Sequence, residues 1–348
     1  GVQSLRPYQP GKPIEELERE LGISGIIKLA SNENPNGPAE SVCSALSEVM
    51  PDLSRYPDGN GFMLKSALRD KLKIKAEQIT LGNGSNDILD LLARTFAGPG
   101  KEVIFSEYAF AVYPIVTLAV NATPVVVPAQ QWGHDLDAMA KAISDKTALI
   151  FLANPNNPTG TYFDKSAFET FMDKVPDHVL VVLDEAYFEY VEKADYPNGL
   201  AYLDRYPNLV VTRTFSKAYG LAGLRVGYGV SNPDVADLLN RVRQPFNVSI
   251  PGIVAATAAL SDEAYLQRSV AMNKQGLAQV ENGLSGLGLD YIPSVGNFIT
   301  VDFAKDAAEI DERLLKKGVI VRPVANYTMP NCLRVSVGLA EENERFLS

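Results

Sequence analysis

Alternating apolar and helix-like stretches predict an α/β protein: a large doubly wound, mostly parallel sheet domain followed by a smaller α+β C-terminal domain. Apolar runs at 103–105 (VIF), 124–127 (PVVV), 148–152 (ALIFL), 179–183 (VLVVL) and 209–212 (LVVT) have strand length. They are near-continuous rather than alternating, as strands buried on both faces are. Helix-like stretches near 86–97, 109–120, 135–143, 164–174 and 233–243 lie between and around them. From about 246 the pattern changes to a Pro-Gly turn, a long helix-like stretch near 262–286 and short strands near 298–303, 318–321 and 332–337. Ligands of doubly wound sheets sit at the carboxyl ends of the strands.

The 348 residues suit one large domain with a smaller partner. The expected boundaries are an N-terminal arm at 1–38, a large domain at 39–245 and a small domain at 246–348. Pro7, Pro10, Pro13 and Pro35 favour an extended arm packed near the small domain.

Acidic residues outnumber basic ones by 42 to 32, a net charge of −10, which opposes nucleic acid as a partner. A small anionic ligand remains compatible, because a few clustered arginines reverse the field locally. No run of 18 apolar residues predicts a membrane-spanning helix, and the first residues lack the apolar stretch of a secretion signal. Cys43 and Cys332 are too few for a disulfide framework; they read as packing residues in a reducing, cytoplasmic setting. The only histidines, His134 and His178, read as the start of a surface helix and a turn. Two are too few to suggest a histidine metal cage or a Ser/His/Asp triad, so no metal site is expected. Chemistry then falls to Lys, Arg, Asp, Tyr and Asn, or to a borrowed cofactor.

Three strings at successive strand ends carry that chemistry. Thr214-Phe215-Ser216-Lys217-Ala218-Tyr219-Gly220 continues to Arg225 just beyond a buried strand. A lysine there, among small and hydroxyl neighbours, has the setting of a Schiff-base nucleophile, and Arg225 that of a phosphate ligand. An isolated Ser-Lys pair would read as a solvated loop lysine. Asn154-Pro155-Asn156-Asn157-Pro158-Thr159-Gly160 and Asp184-Glu185-Ala186-Tyr187 close two other strands. Taken singly these are an ordinary turn and a helix-capping acid; in this order at consecutive strand ends they form one constellation.

With these strings the chain resembles the fold-type I pyridoxal-phosphate aminotransferases, and within them the histidinol-phosphate aminotransferase family. The resemblance runs through Arg6-Pro7-Tyr8-Gln9-Pro10-Gly11-Lys12, Leu29-Ala30-Ser31-Asn32-Glu33-Asn34-Pro35, Arg55-Tyr56-Pro57-Asp58-Gly59 and Leu81-Gly82-Asn83-Gly84-Ser85-Asn86-Asp87. It implies Lys217 as the lysine that bonds the cofactor pyridoxal 5′-phosphate and later moves the substrate proton, and Asp184 as partner of its pyridine nitrogen. It implies Tyr187 and Asn157 at the ring oxygen and Tyr108 stacked on the ring face, with Phe110 and Tyr113 left to packing. Gly84, Ser85, Asn86, Thr214, Ser216 and Arg225 are implied as the phosphate cradle. Tyr56 is implied to reach the phosphate of a neighbouring subunit, which makes the protein a homodimer with shared active sites. Arg334 is implied for the substrate α-carboxylate and Arg322 for a substrate phosphate, with Tyr8, Asn32 and Asn297 lining the same pocket.

The implied reaction is transamination between histidinol phosphate and 2-oxoglutarate in histidine biosynthesis, on small-molecule substrates. Two readings of the same fold stay open: an aminotransferase of aromatic amino acids and a threonine-phosphate decarboxylase. A cofactor-sensing module of a transcription regulator is opposed by the acidic charge and by the intact Lys217 and Asp184.

Overall fold

The computed structural model describes residues 2–5 and 7–348; Gly1, and Arg6 of the arm motif, lie outside the described residues. The arm carries helix α1 (Ile14–Leu21) and a two-residue strand β1 (Ile27–Lys28). The large domain then runs α2 (Glu40–Val49), α3 (Phe62–Leu72), β2 (Ile79–Gly82), α4 (Ser85–Phe96), β3 (Glu102–Ser106), α5 (Val112–Ala119) and β4 (Thr123–Val127). It continues with α6 (Leu136–Lys141), β5 (Thr147–Ala153), α7 (Lys165–Met172), β6 (Leu180–Asp184), β7 (Leu209–Thr214), β8 (Gly227–Val230), α8 (Pro233–Val242) and α9 (Ile250–Ser261). Helix α10 (Glu263–Gly286) leads into β9 (Asp290–Ile292), β10 (Phe298–Asp302), α11 (Ala308–Lys316), β11 (Val319–Ile320), β12 (Arg322–Pro323), β13 (Cys332–Ser336) and α12 (Ala340–Leu347).

Seven strands form the large sheet in the order β2-β8-β7-β6-β5-β3-β4. Neighbours from β7 to β4 pair in parallel, and β8 runs antiparallel to both β7 and β2. Every residue of β5 and β6 is buried, which is why their sequences read as unbroken apolar runs. Period-two alternation sorts their side chains into two cores. Ile150, Leu152, Val181, Leu183 and Val211 join one face, and Leu149, Phe151, Leu180, Val182 and Val210 the other. The chain turns outward through β3 and β4 and then back through β5, so the switch point lies between β3 and β5.

The strands β2 and β8 carry little sequence signal. Gly227 and Gly229 interrupt the apolar pattern because α4 lies directly on them: a Cβ at Gly227 would collide with the Ser85 backbone, and one at Gly229 would stand 2.9 Å from Ile88.

The small domain is the antiparallel sheet β12-β13-β10-β9, covered by Val280 and Leu284 of α10 and by α11 and α12. The expected start at 246 would part α9 from the helices it packs on. Ile253, Ala255, Ala256, Ala259, Leu260 and Tyr265 belong to the large core, where α9 packs on α2 and α3. The Pro-Gly pair taken for a turn is instead the start of α9, with Ser249 capping the Gly252 amide at 3.1 Å. Helix α10 runs from the large core at Tyr265 to the small-sheet core at Val280 and Leu284.

The arm is also more ordered than an extended strap. After Pro13, α1 buries Leu17 against Ala30 and Ile320, and Gly22 closes it in the left-handed conformation (φ 64°). Strand β1 pairs in parallel with β11. Cys43 is exposed rather than packed, whereas Cys332 is buried. His134 does not begin a surface helix. It is partly buried, its Nε2 accepts from the Ala153 amide at 3.2 Å, and burial holds its pKa down to about 4.

Candidate active site

The carboxyl ends of β5, β6 and β7 open into one cavity of about 490 Å³, lined by Ala153 and Asn157, Asp184 and Tyr187, and Thr214, Ser216 and Lys217. Each group closes or follows a buried strand, so the strand ends and the loops after them hold the polar residues on a rigid base.

Asp184, the last residue of β6, is 5% exposed; its Oδ2 accepts from Tyr113 Oη at 2.8 Å and its Oδ1 from Thr212 Oγ1 at 3.2 Å. Burial raises its pKa, and the Tyr113 and Thr212 hydroxyls and the Ala186 amide oppose that rise. Tyr113 therefore does more than pack. Its ring is fully buried and stacks on Phe151 at 4.7 Å, yet its hydroxyl holds the carboxylate.

Lys217 Nζ donates to the Ser31 carbonyl at 3.0 Å and stands 5.7 Å from the centre of the Tyr187 ring. Burial and then the charge of Arg334, with a weaker push from Arg225, lower its pKa to about 7 against an opposing pull from Glu33. A buried amine near that value exchanges protons readily at neutral pH.

One end of the cavity is a cradle for an anion. Gly84 (φ 79°) precedes α4 with no side-chain cap, leaving the Ser85 and Asn86 amides pointing outward at the positive end of the helix. Arg225, itself at φ 55°, donates Nη1 to Ser216 Oγ at 3.2 Å and to the Ala222 carbonyl at 3.1 Å. A Cβ at Gly84 would collide with the Arg225 guanidinium, so glycine permits both the turn and the close approach.

The opposite wall comes from the small domain and the arm. Arg334 on β13 donates Nη1 to Asn157 Oδ1 and Nη2 to the Ala30 carbonyl, both at 2.6 Å; its buried Nε has no protein partner. Burial lowers its pKa. Asn32, in the left-handed region (φ 55°), donates to Tyr187 Oη at 2.9 Å and accepts from Ser336 Oγ at 3.1 Å. Asn297 does not line the cavity; its amide holds the Asn32 carbonyl at 2.9 Å. Arg322 lies opposite Arg334 in the β12–β13 register, but it too stays out of the wall. Its guanidinium sits 5.4 Å from the centre of the ring of Tyr8, which does line the cavity.

Two expected positions differ. The aromatic wall is Phe110, whereas the Tyr108 ring packs with Trp132 at 5.2 Å, outside the cavity. The two residues sit in a turn between β3 and α5, where no periodicity predicts which one faces inward. Tyr56 is 80% exposed and stacks on Phe246 at 4.7 Å, also outside this chain's cavity. Ser31 and Glu33 line the cavity without having been singled out; their place in the Ala30–Asn34 string, beside Asn32, was the available signal. Among the described residues no cluster of His, Cys, Asp and Glu could hold a metal ion.

Residues 24–348 match the family Aminotransferase class I and II. The chain belongs to this family. It is 59% identical over 349 residues to histidinol-phosphate aminotransferase 2 of Pseudomonas fluorescens strain Pf0-1, covering 100% of this chain and 94% of that relative. It is 57% identical over 347 residues to histidinol-phosphate aminotransferase 1 of Nitrosococcus oceani, with the same coverage. Among solved structures it is similar to the histidinol-phosphate aminotransferase of Sinorhizobium meliloti in complex with pyridoxal-5′-phosphate, with a TM-score of 0.91 and 32% identity over 99% of this chain and 94% of that one.

The family resemblance and the expected fold therefore hold for the whole chain. For a class I and II aminotransferase the cavity contains an amine that can trade protons, a buried carboxylate, an anion cradle and an arginine with a free edge.

Proposed function

We propose that this aminotransferase moves an amino group from glutamate to imidazole-acetol phosphate, yielding 2-oxoglutarate and histidinol phosphate, in histidine biosynthesis. The observation that carries the reading is Lys217. Its buried amine is held near neutrality in a cavity with Asp184, an anion cradle and Arg334 on its walls, in a chain 59% identical along its length to a histidinol-phosphate aminotransferase.

The residues fit pyridoxal phosphate as resident cofactor. The Gly84 turn and Arg225 form a cradle with space only for backbone, and its Ser85 and Asn86 amides and Ser216 hydroxyl suit a phosphate monoester. Asp184, with Tyr113 and Thr212 donating to it, suits a protonated ring nitrogen, and Asn157 and Tyr187 suit a ring oxygen. When bound, pyridoxal phosphate supplies the electron sink that makes loss of a Cα proton feasible.

The protein's own residues do the remaining work. Lys217 Nζ, part neutral and part protonated near pH 7, would take the proton from the substrate Cα and deliver it to C4′ of the bound cofactor. Asp184 keeps a positive charge where electron density must flow. Arg334 grips the substrate carboxylate by its free Nε edge, oriented by Asn157 and Ala30. Arg322, screened by Tyr8, takes the phosphate of histidinol phosphate when the arm gives way, so that the two guanidiniums serve a dicarboxylate and a phosphate monoester in turn. The unpaired cysteines suit a cytoplasmic location, and among the described residues no helix is long and apolar enough to cross a membrane.

We further assign the working unit as a homodimer. Tyr56, Phe62 and Met63 are 80%, 72% and 52% exposed, and Tyr56 meets no part of its own cavity. Exposed apolar side chains of this kind suit burial against a second copy, to whose cradle Tyr56 would contribute.

The test is a half-reaction on the cofactor-loaded protein with histidinol phosphate, glutamate, phenylalanine and threonine phosphate added separately. Rapid change of cofactor absorbance is expected with histidinol phosphate and glutamate. A response to phenylalanine without histidinol phosphate would make it an aromatic aminotransferase, and carbon dioxide released from threonine phosphate would make it a decarboxylase.

A further inference from the structure

On the other side of the sheet from Lys217, a second cavity of about 610 Å³ opens between α10 and the short turn Phe188–Tyr190. Strand alternation puts it there. Thr212 and Thr214 follow Val210 on the face that carries Asp184, whereas Arg213 follows Leu209 and Val211 onto the opposite face, where it meets Glu185. The two cavities are thus backed by consecutive residues of the same strand ends, Asp184 and Glu185 on one and Arg213 and Thr214 on the other.

Charge around the second cavity does not balance. Lys71 pairs with Glu263 at 3.0 Å, Lys274 with Glu192 at 2.8 Å, and Arg213 with Glu185 at 2.8 Å. Glu189 is left over. Among the described residues it enters no ion pair, and the cations nearest to it, Arg213 and Lys71, are already committed. The Arg213 guanidinium is held further by the Phe188 ring, 3.5 Å below it. Burial and the nearby Glu185 push the Glu189 carboxyl up to about 7 against the pull of Arg213 and Lys71. The rest of the wall is mainly apolar and aromatic, chiefly Leu266 and Val270 of α10 and Tyr219, with Gln267 and Gln275 adding two amides.

We propose that this cavity is a second ligand site, taking a small organic cation with a flat apolar body. The cation completes the charge of Glu189, and the body lies against Leu266 and Val270. The volume is that of a small-molecule pocket rather than a packing defect. Helix α10 begins in the large core at Tyr265 and ends in the small core at Val280 and Leu284, so an occupant fastens the first half of that helix to the strand ends that hold Asp184. This inference stands on the cavity alone and does not depend on which amino donor the Lys217 site takes.

Benzamidine is the probe, because it is a flat monocation without the carboxylate, phosphate or aliphatic amine that the Lys217 cavity is built to hold. Calorimetric titration of the cofactor-loaded protein should show one site per chain, and benzamide, the neutral amide of the same shape, should give no heat. Glu189→Gln should weaken benzamidine at least about tenfold, as loss of a charged partner does, and Val270→Trp should fill the cavity and abolish binding. Hydrogen exchange should slow in 188–192 and 263–275, with cofactor absorbance unchanged. No binding at millimolar benzamidine, equal binding of benzamide, full binding by both variants, or displacement of the probe by glutamate would each overturn the proposal.

Discussion

Tyr113 Oη stands 2.8 Å from Asp184 Oδ2, joining the start of α5 to the end of β6. Burial and the Asp184 charge hold the Tyr113 hydroxyl well above its ordinary pKa, so it remains a donor. Tyr113→Phe keeps the stack on Phe151 and deletes only that donor. Loss of a hydrogen bond to a charged group costs about 1.5–3 kcal/mol, so kcat/KM should fall roughly tenfold to a hundredfold. The pH titration of cofactor absorbance should shift as well, which a purely structural loss would not produce. Unchanged kcat/KM and titration would leave Tyr113 a packing residue.

Lys217 ties stability to pH in the cofactor-free protein. Its folded pKa of about 7 lies below the ordinary lysine value of 10.5, so between these values the unfolded chain binds more protons at this position. Stability from this group is therefore lowest below pH 7 and recovers as pH rises through that window. Lys217→Met should exceed the unsubstituted protein in stability near pH 6, and the gap should close as pH climbs toward about 10. Urea titrations of both proteins measure it; a gap that does not vary with pH would show that the amine is not held low.

Lys217→Ala should abolish transamination while circular dichroism stays the same, since the lysine stem contributes little to either large core. Retained turnover would move the proton transfer to another group.

Arg334→Ala should weaken glutamate by at least roughly 2 kcal/mol, the scale for a charged partner left unmet. Arg334→Lys should not restore it, because one ammonium cannot reach Asn157 and the Ala30 carbonyl together while offering a third edge to substrate. Half-reaction titrations with glutamate decide the matter, and an unchanged affinity would remove Arg334 from the site.

Phe62→Glu places a charge on an exposed apolar side chain near Tyr56 in the sequence. Sedimentation should show the dimer dissociating and the cofactor leaving more readily, with the monomer still folded. A variant that stays dimeric would move the interface away from 56–63.

Periodicity alone determined β3 and β5 to β7, because strands buried on both faces read as near-continuous apolar runs, whereas the edge strand β4, with Thr123 and Val126 exposed, shows itself only by its β-branched run. The strings after β5, β6 and β7 likewise placed Asn157, Asp184 and Lys217 at neighbouring strand ends, since a parallel sheet aligns those ends whatever the intervening helices contain. Tertiary structure alone decided which partners those residues meet. Arg334 and Asn157 are 177 residues apart and share no local pattern, and Tyr113 reads as an apolar helix residue until its hydroxyl is found on Asp184. Phe110 rather than Tyr108 faces the cavity because packing around Trp132 claims the tyrosine. Helix α9 belongs to the large core because its apolar face finds α2 and α3. Backbone period and solvent write the local pattern into the chain, whereas contacts between distant segments depend on shape and burial that exist only once the sheets have packed.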